Sequence, residues 1–577
     1  MKYIDIIKEN RQLEKSLSSE KYRIAIITNI TVNQIKEILE FDLRSKGIFA
    51  EVTFGDYDNI VQDSIRFSDA DLVIIFWEIA NLIDGLEEEC YLMDSKQLDT
   101  LSSRFENDIN LVIKNLKSVP LVIVNKFTNS AFDSFVLSDS PLIKLSKQGN
   151  LMLEKLSSNN VIAVDLEKIF NKLSIDNSID TRQFQSSKAL YSINFFKTYV
   201  NAIYPAIMSI RGFSKKILVL DCDNTLWDGI VGEDGLSGLQ MSDLTPKGKV
   251  FSEVQKVILG LKNSGILLAI CSKNNEKDVL EVFDKHKDIL LSENDFAAIK
   301  INWKLKAENI KEIANDLNIG LESFVFVDDS DFEVSLVQQS LPQVHCLKVP
   351  KNLSDYKDSI NKLRALFFTL SNSDEDKVKT DLYLQEKIRK QHSVKFESLE
   401  SYISSLELQI FIDWNNRSSV PRAAQLTQKT NQFNLTTKRY SEEQLIDMLD
   451  NKHFEFATFS ASDLFGEYGI TGLIILKPQS HGSNLYVIDN LLMSCRVLGR
   501  NIEFKFINEV LNKLKRNGIK KLYASYLRSN KNEQVECFFE KVQFNLIEKN
   551  NNCKNYELIM NEFKYKNLDY IKCSEII

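Results

Sequence analysis

Lys216-Ile-Leu-Val-Leu-Asp-Cys-Asp-Asn-Thr225 is the stretch on which the fold turns. Four apolar residues with no polar interruption predict a strand buried on both faces, ending in a run of short acidic and polar side chains. Ile266-Leu-Leu-Ala-Ile270 and Phe324-Val-Phe-Val327 predict further strands. Helical patterns lie between them at 247–263, 276–286, 304–317 and 332–341. Gly265 and Gly320 follow two of these helices, where C-terminal glycines are expected. Alternation of this kind predicts a parallel sheet with helices on both faces. In such sheets ligands bind at the carboxyl ends of the strands, where Asp221 and Asp223 stand.

Those two carboxylates, spaced i, i+2 beyond a strand, can converge on one reacting centre. One can attack phosphorus while the other donates a proton to the leaving oxygen and then activates water. The next strand ends in Cys271-Ser272-Lys273-Asn274, a hydroxyl and an amide at the same sheet edge. Asn302-Trp-Lys-Leu-Lys306 opens a helix with cationic charge suited to phosphate oxygens. Val327-Asp328-Asp329 ends a further strand with hard oxygen ligands suited to Mg²⁺. Phosphoryl transfer needs these parts in one place.

This order of motifs resembles the haloacid dehalogenase (HAD) superfamily, whose members form a phospho-aspartate on a Rossmann-like sheet. The resemblance implies Asp221 as nucleophile and Asp223 as general acid/base, with Thr225, Ser272 and Asn274 around the phosphate. It implies Lys306 as the charge-stabilising lysine, with Lys304 as the alternative. Mg²⁺ would be held by Asp221, the Asp223 carbonyl, Asp328 and Asp329. The stretch from Leu226 to Gly235 matches a short flap, a minimal cap that leaves room for a bulky or protein-borne substrate.

A narrower resemblance, covering about 190–560, is to FkbH-like proteins. It rests on Leu220-Asp-Cys-Asp-Asn-Thr-Leu-Trp227, Val231-Gly-Glu-Asp-Gly235, Cys271-Ser-Lys-Asn274, Asp295-Phe-Ala-Ala298 and Phe326-Val-Asp-Asp329. The stretch Ala424-Gln-Leu-Thr-Gln-Lys-Thr-Asn-Gln-Phe-Asn-Leu-Thr-Thr437 extends it beyond the HAD core. The resemblance implies removal of phosphate from 1,3-bisphosphoglycerate or a similar acyl phosphate. It further implies loading of the glyceryl unit onto an acyl carrier protein, in polyketide or surface-polysaccharide biosynthesis. Where that family reads Asp-Asp-Asn-Pro, this chain has Asp328-Asp329-Ser330-Asp331, which adds negative charge near the expected metal. Cys222, Cys271 and Cys495 lie within matching motifs and are candidate thiols, against the ordinary reading of buried, inert cysteine. Two other functions stay open: a plain phosphatase of a small phosphorylated metabolite or sugar, and a non-catalytic assembly protein.

The flanks complete an expected α/β architecture of three domains. Residues 1–186 alternate strands and helices and resemble a degenerate SGNH-hydrolase (flavodoxin-like) parallel sheet. None of the five histidines lies before His286, and Thr28-Asn29-Ile30-Thr31 stands where a Gly-Asp-Ser motif would sit, so esterase chemistry is not expected. A helical connector at 187–212 leads to the HAD-like domain at 213–350, followed by a helical linker at 351–404. Residues 405–565 begin with strands in a meander and resemble a GNAT (acyltransferase-like) mixed sheet, with a tail at 566–577. In that domain Arg496, Gly499 and Arg500 precede a helix whose free N–H groups would seat a CoA or phosphopantetheine arm. Phe539 stands where a tyrosine would protonate a thiolate, which favours arm binding over independent acetyl transfer. The amide-rich run 425–437 reads equally as a solvated loop or as a binding loop.

Composition narrows the class further. The 577 residues are 44% hydrophobic and 26% charged, which excludes disorder along the whole chain. With 72 basic against 80 acidic residues, a net charge of −8, no nucleic-acid footprint is expected. No apolar run is long enough for a membrane span, and Met1-Lys2-Tyr3-Ile4-Asp5 carries no signal-peptide core. The eight cysteines are scattered, with no C-x-x-C pair. A reducing cytoplasm is therefore the expected location, with neither a disulfide framework nor a zinc site.

Overall fold

The computed structural model describes the chain apart from residues 18–20, 133–139, 157–159, 371–378, 381, 384, 386–388, 390–391, 393–395, 397–398, 451–453, 481–483, 530 and 577. It forms two compact units, Met1–Ile210 with Tyr440–Gln444, and Arg211–Arg439 with Leu445–Ile577. The architecture is α/β, with two parallel sheets and one mixed sheet. No described helix is long and apolar enough to cross a membrane.

In the first unit, β1 (Tyr22–Thr28), β2 (Ala50–Phe54), β3 (Leu72–Phe76), β4 (Val122–Asn125) and β5 (Val161–Val164) pair in parallel in the order β2-β1-β3-β4-β5. This is the flavodoxin-like order. The central strands read as unbroken Ile and Val because helices cover both faces. Helix Ile193–Ile210, expected as part of a connector, belongs to this core. Its Tyr199 ring lies 4.8 Å from Phe76, and Phe195 stacks on Tyr191 at 4.0 Å.

The second unit carries two sheets. β6 (Ile217–Leu220), β7 (Leu267–Ser272), β8 (Phe296–Ile301), β9 (Phe324–Asp328) and β10 (His345–Lys348) are all parallel, in the order β10-β9-β6-β7-β8. The strand bearing Asp221 is thus central, flanked by those that end in Ser272 and Asp328. β8 and β10 have mixed composition and were not expected as strands. Helix Lys306–Leu317 ends on Asn318 in the left-handed region (φ 51°), two residues before the expected Gly320, whose φ is −66°. Helix Tyr356–Leu363, expected within a linker, packs on helix Pro246–Asn263 and places Tyr356, Ile360 and Leu363 in the same core as Leu218 and Leu220 of β6.

The mixed sheet comprises β11 (Gln409–Trp414), β12 (Phe433–Asn434), β13 (Glu455–Asp463), β14 (Gly466–Pro478), β15 (Leu485–Met493), β16 (Lys521–Leu527), β17 (Asn545–Lys549), β18 (Cys553–Ile559) and β19 (Lys572–Ile576). β11, β13, β14 and β15 form the expected antiparallel meander. The segment expected as a tail supplies β19, which adds in parallel to β11. β15 and β16 pair in parallel only from Leu485–Ile488 to Lys521–Ala524 and then diverge.

The chain's own residues close that fork. β12 pairs with Leu492 and Met493, Leu435 N–H donates to Leu491 (3.1 Å), and Leu527 N–H donates to Leu435 (2.8 Å). The fully buried Asn532 amide seals the join through the carbonyls of Asn434 and Leu527, each at 2.9 Å. The amide-rich run is therefore an interior wedge rather than a solvated loop. Replacing Asn532 with Ala orphans these buried groups and is expected to cost roughly 2–3 kcal/mol. Urea unfolding and faster amide exchange at Leu435 and Leu527 would register it. Unchanged protection there would show that the fork stays closed without the amide.

Candidate active site

Three strand ends and one helix start build the site. Asp221 follows β6 directly, and its N–H donates to Val327 of β9 at 3.0 Å, so the backbones that carry Asp221 and Asp328 are joined at the sheet edge. The chain then turns sharply. Thr225 and Leu226 N–H both return to the Cys222 carbonyl, and Asn224 takes the left-handed conformation (φ 53°) that short amide side chains tolerate. Helix Lys306–Leu317 starts beyond β8 and points Lys306 across the edge. Its Nζ lies 2.9 Å from Asp221 Oδ1 and 2.6 Å from Asp328 Oδ2, and all three side chains are buried.

Burial alone would lower the Lys306 pKa, but the carboxylates of Asp221 and Asp328 outweigh it and hold the ammonium well above its ordinary value. Asp328 is pushed the other way, up to about 6, by burial and by the Asp221 carboxylate beside it. Asp329 is raised by the same two causes. Ligand oxygens of Asp221, Asp328 and Asp329 all lie within 4.8 Å of one another. Three hard carboxylates, partly buried at one strand edge, fit Mg²⁺, which takes one or two carboxylates together with substrate oxygens.

Asp223 is held by N–H donors on both oxygens. Oδ1 accepts from Trp227 Nε1 (2.9 Å) and Val231 N (3.1 Å), and Oδ2 accepts from Asn274 Nδ2 (2.9 Å). Asn274 also donates to Ser272 Oγ at 3.3 Å, which places both beside the acids. Thr225 is completely buried, and its hydroxyl has no hydrogen-bond partner among the described residues. Its carbonyl accepts from the Tyr356 hydroxyl at 3.0 Å. Tyr356 lies 131 residues further along the chain, in the segment read as a linker, so no local pattern marks it as a support of the site.

Several expectations need correction or narrowing. Lys304, the alternative lysine, is exposed and pairs with Glu312, away from the acids. Asp331, the departure from the family pattern, is 78% exposed at the side chain and is drawn to Lys348, so it adds no charge among the carboxylates. Cys222 and Cys271 are wholly buried, and burial pushes both thiols up, which makes them packing residues rather than acyl acceptors. The Cys495 side chain lies outside the described residues. Of the proposed arm-binding residues, Gly499 takes φ 79° before helix Ile502–Arg516, and the Arg500 guanidinium is buried on the Arg496 carbonyl and over the Tyr468 ring. The Glu503 carboxylate stands among the backbone N–H groups of Gly499 and Glu503, where an anion was expected to sit.

In the first unit, Thr28 and Asn29 occupy the position of a nucleophile, but both are committed to the backbone. Thr28 Oγ1 bonds the Ile30 carbonyl, and Asn29 Nδ2 bonds the carbonyls of Glu78 and Asn81. Glu78 is buried, pushed up to about 7 by that burial, and bonded to the Tyr191 hydroxyl.

No family model matches the chain, and no curated protein matches it. Among solved structures, the N-terminal part of BF1531 from Bacteroides fragilis is 26% identical, with a TM-score of 0.55 over 64% of this chain and 100% of that one. That structure is described as containing a phosphatase domain and as complexed with Mg. The ribosomal-protein-S18-alanine N-acetyltransferase from Escherichia coli is 11% identical (TM-score 0.21) and covers 26% of this chain and 94% of that one. An N-acetyltransferase from Staphylococcus aureus is 13% identical (TM-score 0.21) and covers 26% and 98%. These last two scores are too low to carry an assignment.

The raised Asp328 value sets a pH dependence. A carboxyl whose folded value lies above its unfolded one destabilises the metal-free fold as pH rises from about 4 to 6. Mg²⁺ needs the same group ionised, so its stabilising effect grows across that window. Thermal melts with and without Mg²⁺ should show a rise of a few degrees at pH 7.5 and roughly a third of it or less at pH 5. Equal rises at both pH values would place the metal elsewhere.

Proposed function

We propose that the chain is a Mg²⁺-dependent phosphatase of the HAD type that works through an aspartyl phosphate. The observation that carries this reading is the buried Lys306 ammonium between Asp221 and Asp328, with Asp223 at the same strand edge. A scaffold has no use for three buried charges at a ligand-binding edge, since burying them is expensive. The Mg-complexed phosphatase-domain structure at 26% identity supports the same reading.

An Asp221 oxygen attacks phosphorus in line, and the bond to the leaving oxygen breaks with a proton supplied by Asp223. Asp223 then takes a proton from water, whose oxygen attacks the aspartyl phosphate, releasing phosphate and restoring Asp221. Lys306 is positioned to neutralise the nucleophile and the transferring group. Asp221, Asp328 and Asp329, with the Asp223 carbonyl, would hold Mg²⁺, which would supply charge stabilisation to the phosphoryl oxygens.

The finer reading follows the FkbH-like resemblance: the substrate is 1,3-bisphosphoglycerate or a similar acyl phosphate, and the product is a glyceryl thioester on an acyl carrier protein. Atom balance assigns the two phosphates different fates. Attack by Asp221 on the acyl phosphate would release the carboxylate of 3-phosphoglycerate, which cannot acylate a thiol. Asp221 therefore hydrolyses the phosphoester, while the carrier's phosphopantetheine thiolate attacks the acyl carbon and displaces the other phosphate. Because Cys222 and Cys271 are buried and protonated, the carrier thiol rather than either of them is the acceptor. The short flap supports a protein-borne acceptor. Its helix Val231–Gly238 is eight residues long, and the flap is closed at its base by paired backbone bonds between Asp228 and Gln240, both 3.0 Å.

The test supplies Mg²⁺, 1,3-bisphosphoglycerate and a phosphopantetheinylated carrier, and reads phosphate release and intact carrier mass. Wild type is expected to release phosphate and give a glyceryl-sized mass gain. Asp221→Asn should lower release of the ester phosphate by roughly 1,000-fold or more. Phosphate release without carrier loading would reduce the function to a phosphatase. Failure on this substrate and on a broad phosphate panel would leave a binding protein.

A further inference from the structure

Trp227 is completely buried, yet it belongs to a flap whose next residues are largely exposed, among them Ile230 at 37%. A wholly buried indole must find a partner for its N–H. Here the partner is the side chain of Asp223, at 2.9 Å. The ring is fixed from outside the flap by Phe283, edge to face at 6.0 Å, on helix Glu276–Lys285. That helix follows the strand end bearing Ser272 and Asn274, so the anchor of the indole and the second donor to Asp223 share one structural element.

A carboxylate offers about four acceptor positions, two on each oxygen. On Oδ1 both are filled, by Trp227 Nε1 and the Val231 N–H, whereas among the described residues Oδ2 receives only Asn274 Nδ2. Rotation of the carboxylate about its own axis would break all three bonds at once. The two oxygens are therefore distinct, and Oδ2 is the one with capacity left to carry a proton.

We propose that Trp227 is the positioning residue of the acid/base group: its indole N–H fixes the Asp223 carboxylate so that Oδ2 transfers the proton to and from the reacting oxygens. This rests on the phosphatase reading above. In the first step the P–O bond to the leaving group breaks, its electron pair stays on the leaving oxygen, and the proton on Oδ2 passes to that oxygen. An alkoxide leaving group depends on this proton far more than a p-nitrophenolate does, because the phenolate is stable as the anion. General acid catalysis of this kind is worth about 10²–10⁴-fold.

The experiment compares kcat/KM for an alkyl phosphate and for p-nitrophenyl phosphate, with Mg²⁺, in wild type, Trp227→Phe, Asp223→Asn and the double variant. Trp227→Phe should lower the alkyl-to-aryl ratio by about tenfold or more. The same change should add little in the Asp223→Asn background, because residues that act as a unit are not additive. Phe283→Leu, which loosens the ring without touching the N–H, should lower the melting temperature and leave the ratio in place. If Trp227→Phe does not fold, 3-benzothienylalanine at position 227, which keeps the ring shape and lacks the N–H, takes its place. An unchanged ratio, or full additivity with Asp223→Asn, overturns the proposal. Absence of phosphate release by wild type from either substrate defeats the phosphatase reading itself, and the positioning role with it.

Discussion

The structure of the second unit depends on one constraint: three charges, Lys306, Asp221 and Asp328, buried together at the edge of a parallel sheet. Each would be costly alone, and removing Lys306 would leave two carboxylates unpaired in a low-dielectric site. Mutual attraction repays the desolvation only at short range, so the backbone must deliver all three to within hydrogen-bond distance. Parallel pairing achieves this, because neighbouring strands that run in one direction end at one edge. β6 and β9 are in register from Ile217–Phe324 to Leu220–Val327, which puts the residues that follow each strand side by side. The lysine comes from the start of a helix beyond β8, two strands away, and its long stem spans the distance.

Around that cluster the supporting contacts fall into two kinds. Tyr356 holds the Thr225 carbonyl from helix Tyr356–Leu363, so it fixes the turn rather than the chemistry. Lys273 and Glu333 pair at 2.6 Å between the residue after β7 and the helix after β9, which braces two strand ends across the intervening β6. The flap is tied at its root by backbone bonds and by Trp227, and is exposed beyond. Its root is thus rigid where it touches Asp223, and its tip, with Gly235 at φ 61°, is small and exposed.

What was legible in the sequence follows from how local each signal is. Asp221, Asp223, Ser272, Asn274, Lys306 and Asp328 all stand at strand ends or a helix start, where a few adjacent residues define both the element and the chemistry. The central strands were legible because burial on both faces leaves unbroken Ile, Leu and Val. β8 (Phe-Ala-Ala-Ile-Lys-Ile) and β10 (His-Cys-Leu-Lys) sit at the two edges of that sheet, where mixed composition is tolerated and the pattern fades. The same reason hid β19, an edge strand of four polar or small residues and an Ile. Gly320 misled because asparagine can also take the left-handed turn, and Asn318 reaches the end of the helix first. Tyr356 and Asn532 act across the fold on groups that no spacing rule connects to them.

The amide-rich run shows why composition misleads when polar side chains serve the interior. Gln425, Thr427, Asn434 and Thr436 are all buried, because a fork between two diverging parallel strands exposes backbone groups that only a polar insert can satisfy. A Leu or Val run could fill the volume but could not also cap the carbonyls of Thr430 and Asp489, as the side chains of Asn434 and Thr436 do. The same segment is tied to the lead-in of β6. Lys216 Nζ donates to the Lys429 carbonyl, Asn431 Nδ2 to that of Gly212, and Arg439 to those of Thr427 and Gln428. At Gly212 (φ 74°) any Cβ would collide with the Arg439 guanidinium, so the contact requires glycine. The mixed sheet is therefore joined through this wedge to the strand that ends in Asp221. Its polarity serves the anchoring of that strand, which is the reason a stretch so hydrophilic lies inside the protein.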